Sequence, residues 1–294
     1  MISPYGALLP VNKPAGLSSF DVIRTLRKAC GKLKAGHAGT LDLPASGLLL
    51  ICLGKATKLV PYFQDMVKEY SAVVRLGLQT DTDDMSGQPV REMPVPEGLD
   101  AAVLDAALSC FQGSIPQLPP ACSALKIKGK RASDRLRNGE TVALKLRTIH
   151  IYDIKATILD SERITLRVRC SRGTYIRSLA RDIGEALGSC GTIQTLHRDA
   201  IGPFTADRAL APEDFTTETV DNACLAIPEL LSALPALTVP SSGCAAVLNG
   251  RLPALLQQEP ASALLRLLDP QGDLLALVEN SGKWKFFTLF PEAF

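Results

Sequence analysis

The run Leu48-Leu49-Leu50-Ile51-Cys52-Leu53 has no polar residue to turn toward water. A chain that contains it must cover it, and its length suits a buried strand. Directly upstream stand Gly36-His37-Ala38-Gly39-Thr40-Leu41-Asp42 and then Leu43-Pro44-Ala45-Ser46-Gly47. Glycines let a loop bend tightly and leave room for a ligand. A rigid strand just downstream holds a carboxylate in place at little further entropic cost, which catalysis rewards. Asp42 is therefore the candidate for chemistry. The same pattern also reads as a turn with an Asx-type bond from side chain to backbone.

The chain has 294 residues, 46% hydrophobic and 21% charged, enough for one or two sizeable cores. No apolar run approaches the roughly 20 residues that cross a bilayer, and Met1 to Pro10 lacks the basic and long apolar regions of a signal peptide. A cytoplasmic protein without membrane contact is expected. Eight cysteines, at 30, 52, 110, 122, 170, 190, 224 and 244, form no CxxC pair, and there are three histidines. That argues against a structural zinc site or a disulfide framework, so no metal is expected.

A net charge of +2 does not announce a polyanionic partner, but its distribution is uneven. Residues 121 to 137 carry Lys126, Lys128, Lys130, Arg131, Arg135 and Arg137 against Asp134, and residues 163 to 181 carry six arginines and no acid. Two such patches fit a groove that follows a phosphate backbone, or else a solvated surface. Arg167 and Arg169 alternate with Leu166, Val168 and Cys170, so they leave one face of a strand.

Leu8 to Val11 reads as an opening strand, followed by a turn over 12 to 16 with an exposed Lys13. Ser18 or Ser19 then caps a helix carrying Val22, Ile23 and Leu26, stopped by Gly31. Strands are expected over 70 to 76, 144 to 159 and 163 to 170, and helices over about 100 to 111 and from Ile176 to Leu187. This is a mixed α/β chain of the α+β kind, without strict strand-helix alternation or G-x-G-x-x-G. Composition shifts near 205 to 232. Beyond it, short strands at 264 to 268, 274 to 279 and 284 to 289 predict a small β-rich domain over 232–294, separate from a body over 1–231. With four basic and five acidic residues from 232 onward, that tail is a weaker phosphate surface than the body. At this size it is expected to lean on the body.

Taken in order, several stretches carry a specific resemblance: Leu9 to Ser19, Gly36 to Asp42 with its strand, Lys68-Glu69-Tyr70, Thr80-Asp81-Thr82-Asp83-Asp84, Ser123-Ala124-Leu125-Lys126, Arg172-Gly173-Thr174-Tyr175-Ile176-Arg177, and Leu196-His197-Arg198 leading to Gly202-Pro203-Phe204. Together they resemble the TruB family of tRNA pseudouridine synthases, which isomerise the uridine at position 55 in the T loop. The resemblance implies a catalytic domain with a central, mainly antiparallel sheet and a C-terminal PUA-like RNA-binding domain. It also implies a monomer that acts on the tRNA T arm without cofactor or obligate protein partner.

Pseudouridine formation breaks the bond from ribose C1′ to uracil N1, turns the base and rejoins it through C5, with no redox change. A carboxylate serves either as nucleophile at C1′ or as base at C2′, and the sequence leaves both open. The resemblance makes Asp42 that carboxylate and Arg177 its ion partner, oriented by Asp84. Tyr70 would stack on the extruded uracil and assist proton transfer at C5. His37 would fill the space the flipped base vacates, and Leu196 would pack around the uracil. Tyr175, Lys126 and Arg131 complete the expected substrate contacts.

Two positions depart from the family pattern. Leu43 stands where proline usually follows the aspartate, which moves the proline restraint from Asp42 to Leu43. Gly129-Lys130-Arg131-Ala132-Ser133 lacks the usual tyrosine. Two other activities remain alternatives on the residues alone: a noncatalytic RNA-binding or RNA-folding protein, and a glycosidase releasing uracil.

Overall fold

A computed structural model of the chain describes residues 5–120, 122, 126–127, 130–131, 144–258 and 264–290. The strands are β1 (Ala7–Lys13), β2 (Ala35–His37), β3 (Ser46–Leu53), β4 (Lys68–Leu76), β5 (Leu78–Thr80), β6 (Pro89–Glu92), β7 (Gly113–Gln117), β8 (Lys126–Ile127), β9 (Lys130–Arg131), β10 (Arg147–Ile158), β11 (Arg163–Cys170), β12 (Gly191–Ile201), β13 (Phe204–Thr205), β14 (Leu225–Ala226), β15 (Ala236–Thr238), β16 (Leu264–Leu268), β17 (Leu274–Asn280) and β18 (Trp284–Leu289). Ten of them form one sheet in the order β14-β1-β3-β12-β4-β11-β10-β7, with β13 beside β12 and β2 beside β3. Its pairs are antiparallel except β3 with β12, which run parallel.

The apolar run lies on β3, near the middle of this sheet, and is buried on both faces. Leu49, Ile51 and Leu53 pack with Val22, Ile23 and Leu26 of the helix Ser19–Cys30. Leu48, Leu50 and Cys52 pack with Phe63, Phe204 and Ile227 on the other side. Each large side chain so enclosed contributes about 1.5–3 kcal/mol. The covering helix is specified locally. Ser18 and Asp21 form a reciprocal capping box, and Gly31 ends the helix at φ +82°, a conformation that favours glycine.

Across the rest of the sheet, the helices Ala101–Ser109 and Ile176–Ala186 pack Leu104, Leu108, Leu179, Ala180 and Ile183 onto one face of β4, β10, β11 and β12. The tail forms a four-stranded sheet, β15-β16-β17-β18, with its own core around Val239, Leu265, Leu275 and Val278. Leu274, Leu277 and Phe290 enter the cluster beneath β3 instead, so the small sheet leans on the body.

Two expectations are corrected here. Lys13 is fully buried, not exposed. It ends β1 opposite Gly47, and its ammonium donates to the carbonyls of Pro14, Leu17 and Ala45 at 3.0, 2.7 and 2.5 Å. Arg167 and Arg169 do alternate off β11, but cross-strand register decides which way. Val168 and Cys170 lie opposite Tyr70 and Lys68, whereas Arg167 and Arg169 lie opposite Ser71 and Glu69 on the reverse face. There Arg169 pairs with Glu69 at 3.6 Å and sits over the Tyr152 ring.

Candidate functional site

The glycine loop is laced to the N-terminal segment before it reaches Asp42. The Ser19 hydroxyl takes the Leu41 N–H at 2.9 Å and donates to the Leu41 carbonyl at 3.2 Å. Gly16 N–H donates to the Leu43 carbonyl at 2.8 Å, and Ala45 N–H to that of Asp42 at 3.2 Å. Polar groups on both sides of Asp42 are thus satisfied by fixed partners, as a positioned carboxylate requires. Its side chain is 40% exposed, at the edge of a cavity of ≈ 710 Å³.

Arg177 meets Asp42 from the first turn of its helix, with Nε 2.8 Å from Asp42 Oδ2. The same guanidinium lies 3.5 Å from Asp84 Oδ2 and donates to the carbonyls of Thr82 and Cys122 at 2.7 and 3.0 Å. Asp84 is itself held by Thr82 Oγ1 at 2.9 Å and by the Ser86 N–H at 3.0 Å and hydroxyl. Gln117 of β7 fixes the residue before the helix, accepting from Tyr175 N–H at 2.9 Å and donating to its carbonyl at 3.0 Å. One turn along, Arg181 pairs with Asp83 at 2.9 Å, and Asp83 adopts φ +58°. Burial raises the Asp83 carboxyl above its ordinary value, against the pull of Arg181 and Arg177.

Asp42, Tyr70, Tyr175, Arg177 and Leu196 all line the cavity, and Asp84 stands behind Arg177. His37 is not among the lining residues; it ends β2, paired with Ile51 on β3. Of the six arginines in 163 to 181, only Arg172 and Arg177 reach the cavity; Arg163 is engaged by Asp160 and Arg181 by Asp83 and Asp182. Lys126 and Arg131 are backbone partners across β8 and β9, and the rest of their basic segment, with Ser133, lies largely outside the described residues. No grouping of metal-ligating side chains occurs among the described residues.

Sequence reasoning missed four cations. Lys68, Arg147 and Arg198 line the cavity, and Lys13 lies behind the Asp42 loop. Lys68 donates to the carbonyls of Met66 at 2.5 Å and Gln64, and Arg198 to those of Leu48, Gly39 and Thr40 at 2.7, 3.1 and 3.4 Å. Burial, with the charge of Arg198 adding to it, lowers Lys13 and Lys68 to about 8, while Asp42 pulls Lys13 back up. A signal for Arg198 was present, since period two places it on the Leu196 face of β12. Burial also raises the Tyr70 phenol, while Arg198 pulls it down.

A model described as the TruB family pseudouridylate synthase N-terminal domain matches residues 27–176, and one described as the tRNA pseudouridylate synthase B C-terminal domain matches 177–234. The chain belongs to the TruB family. Among its relatives, a tRNA pseudouridine synthase B of Corynebacterium diphtheriae is 38% identical over 290 residues, covering 96% of this chain and 95% of that protein. One of Cupriavidus pinatubonensis is 42% identical over 280 residues, covering 93% and 86%. A chain of a crystal structure of a Cbf5-Nop10-Gar1 complex shares the fold, with a TM-score of 0.70 and 24% identity over 99% of this chain and 87% of that one. TruB membership and the two packed sheets together give the mixed catalytic fold with its smaller β-rich C-terminal unit.

Proposed function

We propose that this TruB chain isomerises the uridine at position 55 in the T loop of tRNA to pseudouridine, with Asp42 acting at ribose. The observation that carries this reading is the Asp42–Arg177–Asp84 arrangement on the wall of a cavity that also presents Tyr70 and Leu196. An exposed ion pair contributes little to stability, whereas a carboxylate reaching into a cavity from a buried guanidinium is ready for chemistry. Arg177 orients the carboxylate through the 2.8 Å contact, whether Asp42 attacks C1′ or removes the C2′ proton. Tyr70 stacks on the flipped uracil and receives the proton lost from C5. Leu196 supplies an apolar wall, and Tyr175 a further lining contact.

Arg172 and Arg147, with Lys126 and Arg131 beyond the cavity, are proposed to follow the phosphates of the T arm. Residues 1–231 form the catalytic unit in this reading, and 232–294 a PUA-like accessory surface. Action as a monomer, in the cytoplasm where folded tRNA occurs, is part of the same proposal. His37, outside the cavity lining, is proposed only to buttress the loop.

The test is direct measurement of pseudouridine in full tRNA, in isolated T-arm RNA and in a T arm with cytidine at the target. Product is expected in the first two and none in the third. Tight binding and faster RNA refolding without product would favour a noncatalytic RNA-folding protein, and free uracil a glycosidase. Lys126→Ala and Arg131→Ala are each expected to lower the salt slope of binding by about 0.7 to 0.9.

A further inference from the structure

Arg198 is 2% exposed, and no carboxylate lies within ion-pair distance of it among the described residues. Its guanidinium is held by three carbonyls: Leu48 at the start of the buried strand, and Gly39 and Thr40 just before Asp42. On the sheet it stands opposite Tyr70 of β4 on one side and Gly47 of β3 on the other. Gly47 has φ +105°, and a Cβ there would fall 2.3 Å from the Arg198 carbonyl oxygen, so the strands close tightly around this residue. A guanidinium offers five N–H donors in a fixed plane, which leaves donors for the cavity after the three carbonyls are met. Arg198 and Tyr70, opposite each other on neighbouring strands, both line the cavity, and the charge of Arg198 pulls the Tyr70 phenol toward ionisation.

We propose that Arg198 is a positioning residue that holds the Asp42 loop and the Tyr70 hydroxyl in one register, so that the group acting at ribose and the group acting at C5 stay aligned. The proposal rests on the isomerase reading above. After the base rejoins through C5, that carbon bears both ribose C1′ and its hydrogen. The proton passes to the Tyr70 phenolate oxygen. The C–H electron pair becomes the C5=C6 bond, the C6=N1 pair moves onto N1, and N1 takes the proton that the phenol earlier gave to water. A fixed positive charge beside the tyrosine favours the phenolate needed for this step. The other groups facing Tyr70 are the Cys170 thiol of β11 and Asp42, both of which disfavour the phenolate. Lys68, Arg147, Arg172 and Arg177 complete the charged lining.

The test uses the full chain with Arg198→Gln, which removes the charge, and Arg198→Lys, which keeps it without the fork. Single-turnover pseudouridine formation by Arg198→Gln is expected to fall at least about 10-fold near neutral pH, with Kd for RNA within about threefold of wild type. The rise in rate that follows ionisation of the Tyr70 phenol is expected to move to higher pH, and Arg198→Lys to restore part of both. Tyrosine 13Cζ NMR without RNA, with Tyr70 assigned by Tyr70→Phe, should show its phenol ionising at higher pH in Arg198→Gln. An unmoved Tyr70 titration overturns the proposal, as does failure of both variants to fold, which would make Arg198 purely structural. If wild type forms no pseudouridine, the functional reading fails instead, and the Tyr70 titration still decides the coupling.

Discussion

Two sets of buried cations surround Asp42, and they are compensated in opposite ways. Arg177 and Arg181, one helical turn apart, meet the carboxylates of Asp42, Asp84, Asp83 and Asp182. Lys13, Lys68 and Arg198 meet main-chain carbonyls of the surrounding loops and strands. Carboxylate pairing cancels charge and aims a reactive group. Carbonyl capping satisfies the donors yet leaves the positive charge intact, so these residues pin loops while biasing the cavity toward an anionic ligand. The first set therefore belongs to the chemistry and the second to the shape of the place where it happens.

The sharpest way to break this distinction is Asp42→Asn, which preserves volume and removes the charge. Single-turnover formation of pseudouridine is expected to fall by at least about 1000-fold, with RNA affinity and thermal unfolding close to wild type. Near-normal turnover by the folded variant would end the assignment of Asp42. Arg177→Met comes next. It strands Asp84, which is 7% exposed, so both turnover and stability should drop, the latter by about 3 kcal/mol in urea unfolding. The salt slope of RNA binding should barely change; a slope reduced by one contact with chemistry intact would move Arg177 to the phosphate surface.

Lys13→Met sharpens the other half of the comparison. Three carbonyls lose their donor, and a stability loss of about 2 kcal/mol near neutral pH is expected. The pH dependence has a definite sign. Lys13 falls from 10.5 to about 8 on folding, so between those values the unfolded chain holds the extra proton. Its contribution to stability therefore rises with pH across that window and is flat below it. Subtracting Lys13→Met from wild type in urea titrations at pH 7, 8, 9 and 10 isolates this slope, and a difference independent of pH would refute the burial of the charged amine. The smallest effect concerns reactivity. The Cys52 thiol on β3 is pushed up to about 12 by burial, whereas Cys110 is exposed. A thiol reagent at pH 8 should label Cys110 rapidly and leave Cys52 untouched until the chain unfolds.

Much of the architecture was legible because local patterns carried it. The capping pair Ser18 and Asp21, the stop at Gly31 and the apolar face of the helix beginning at Ile176 all act within a few residues of chain. The candidate site was legible through ordered motifs, which placed Asp42, Tyr70 and Arg177 on one cavity from three separate stretches. Lys13 was misread because a lysine beside Pro14 and Gly16 looks solvated unless the converging carbonyls of Leu17 and Ala45 are known. Arg167 and Arg169 were read correctly as alternating, but whether they lined a phosphate groove or a solvated surface stayed open, since alternation gives two faces without saying which one meets the helices.

The sequence by itself determined that β3 must be buried, that Asp42 ends a glycine loop before it, and that a separate β-rich segment follows the body. These are consequences of short-range geometry and hydrophobicity, which any fold of this chain has to respect. Only the tertiary structure decided that Arg198 stands opposite Tyr70, that Arg177 bridges Asp42 and Asp84, and that the arginines of β11 turn away. The first and last depend on strand register between segments distant in sequence, where a shift of one residue would send every side chain to the other face, and the Arg177 bridge depends on how its helix packs onto the sheet beside two distant loops.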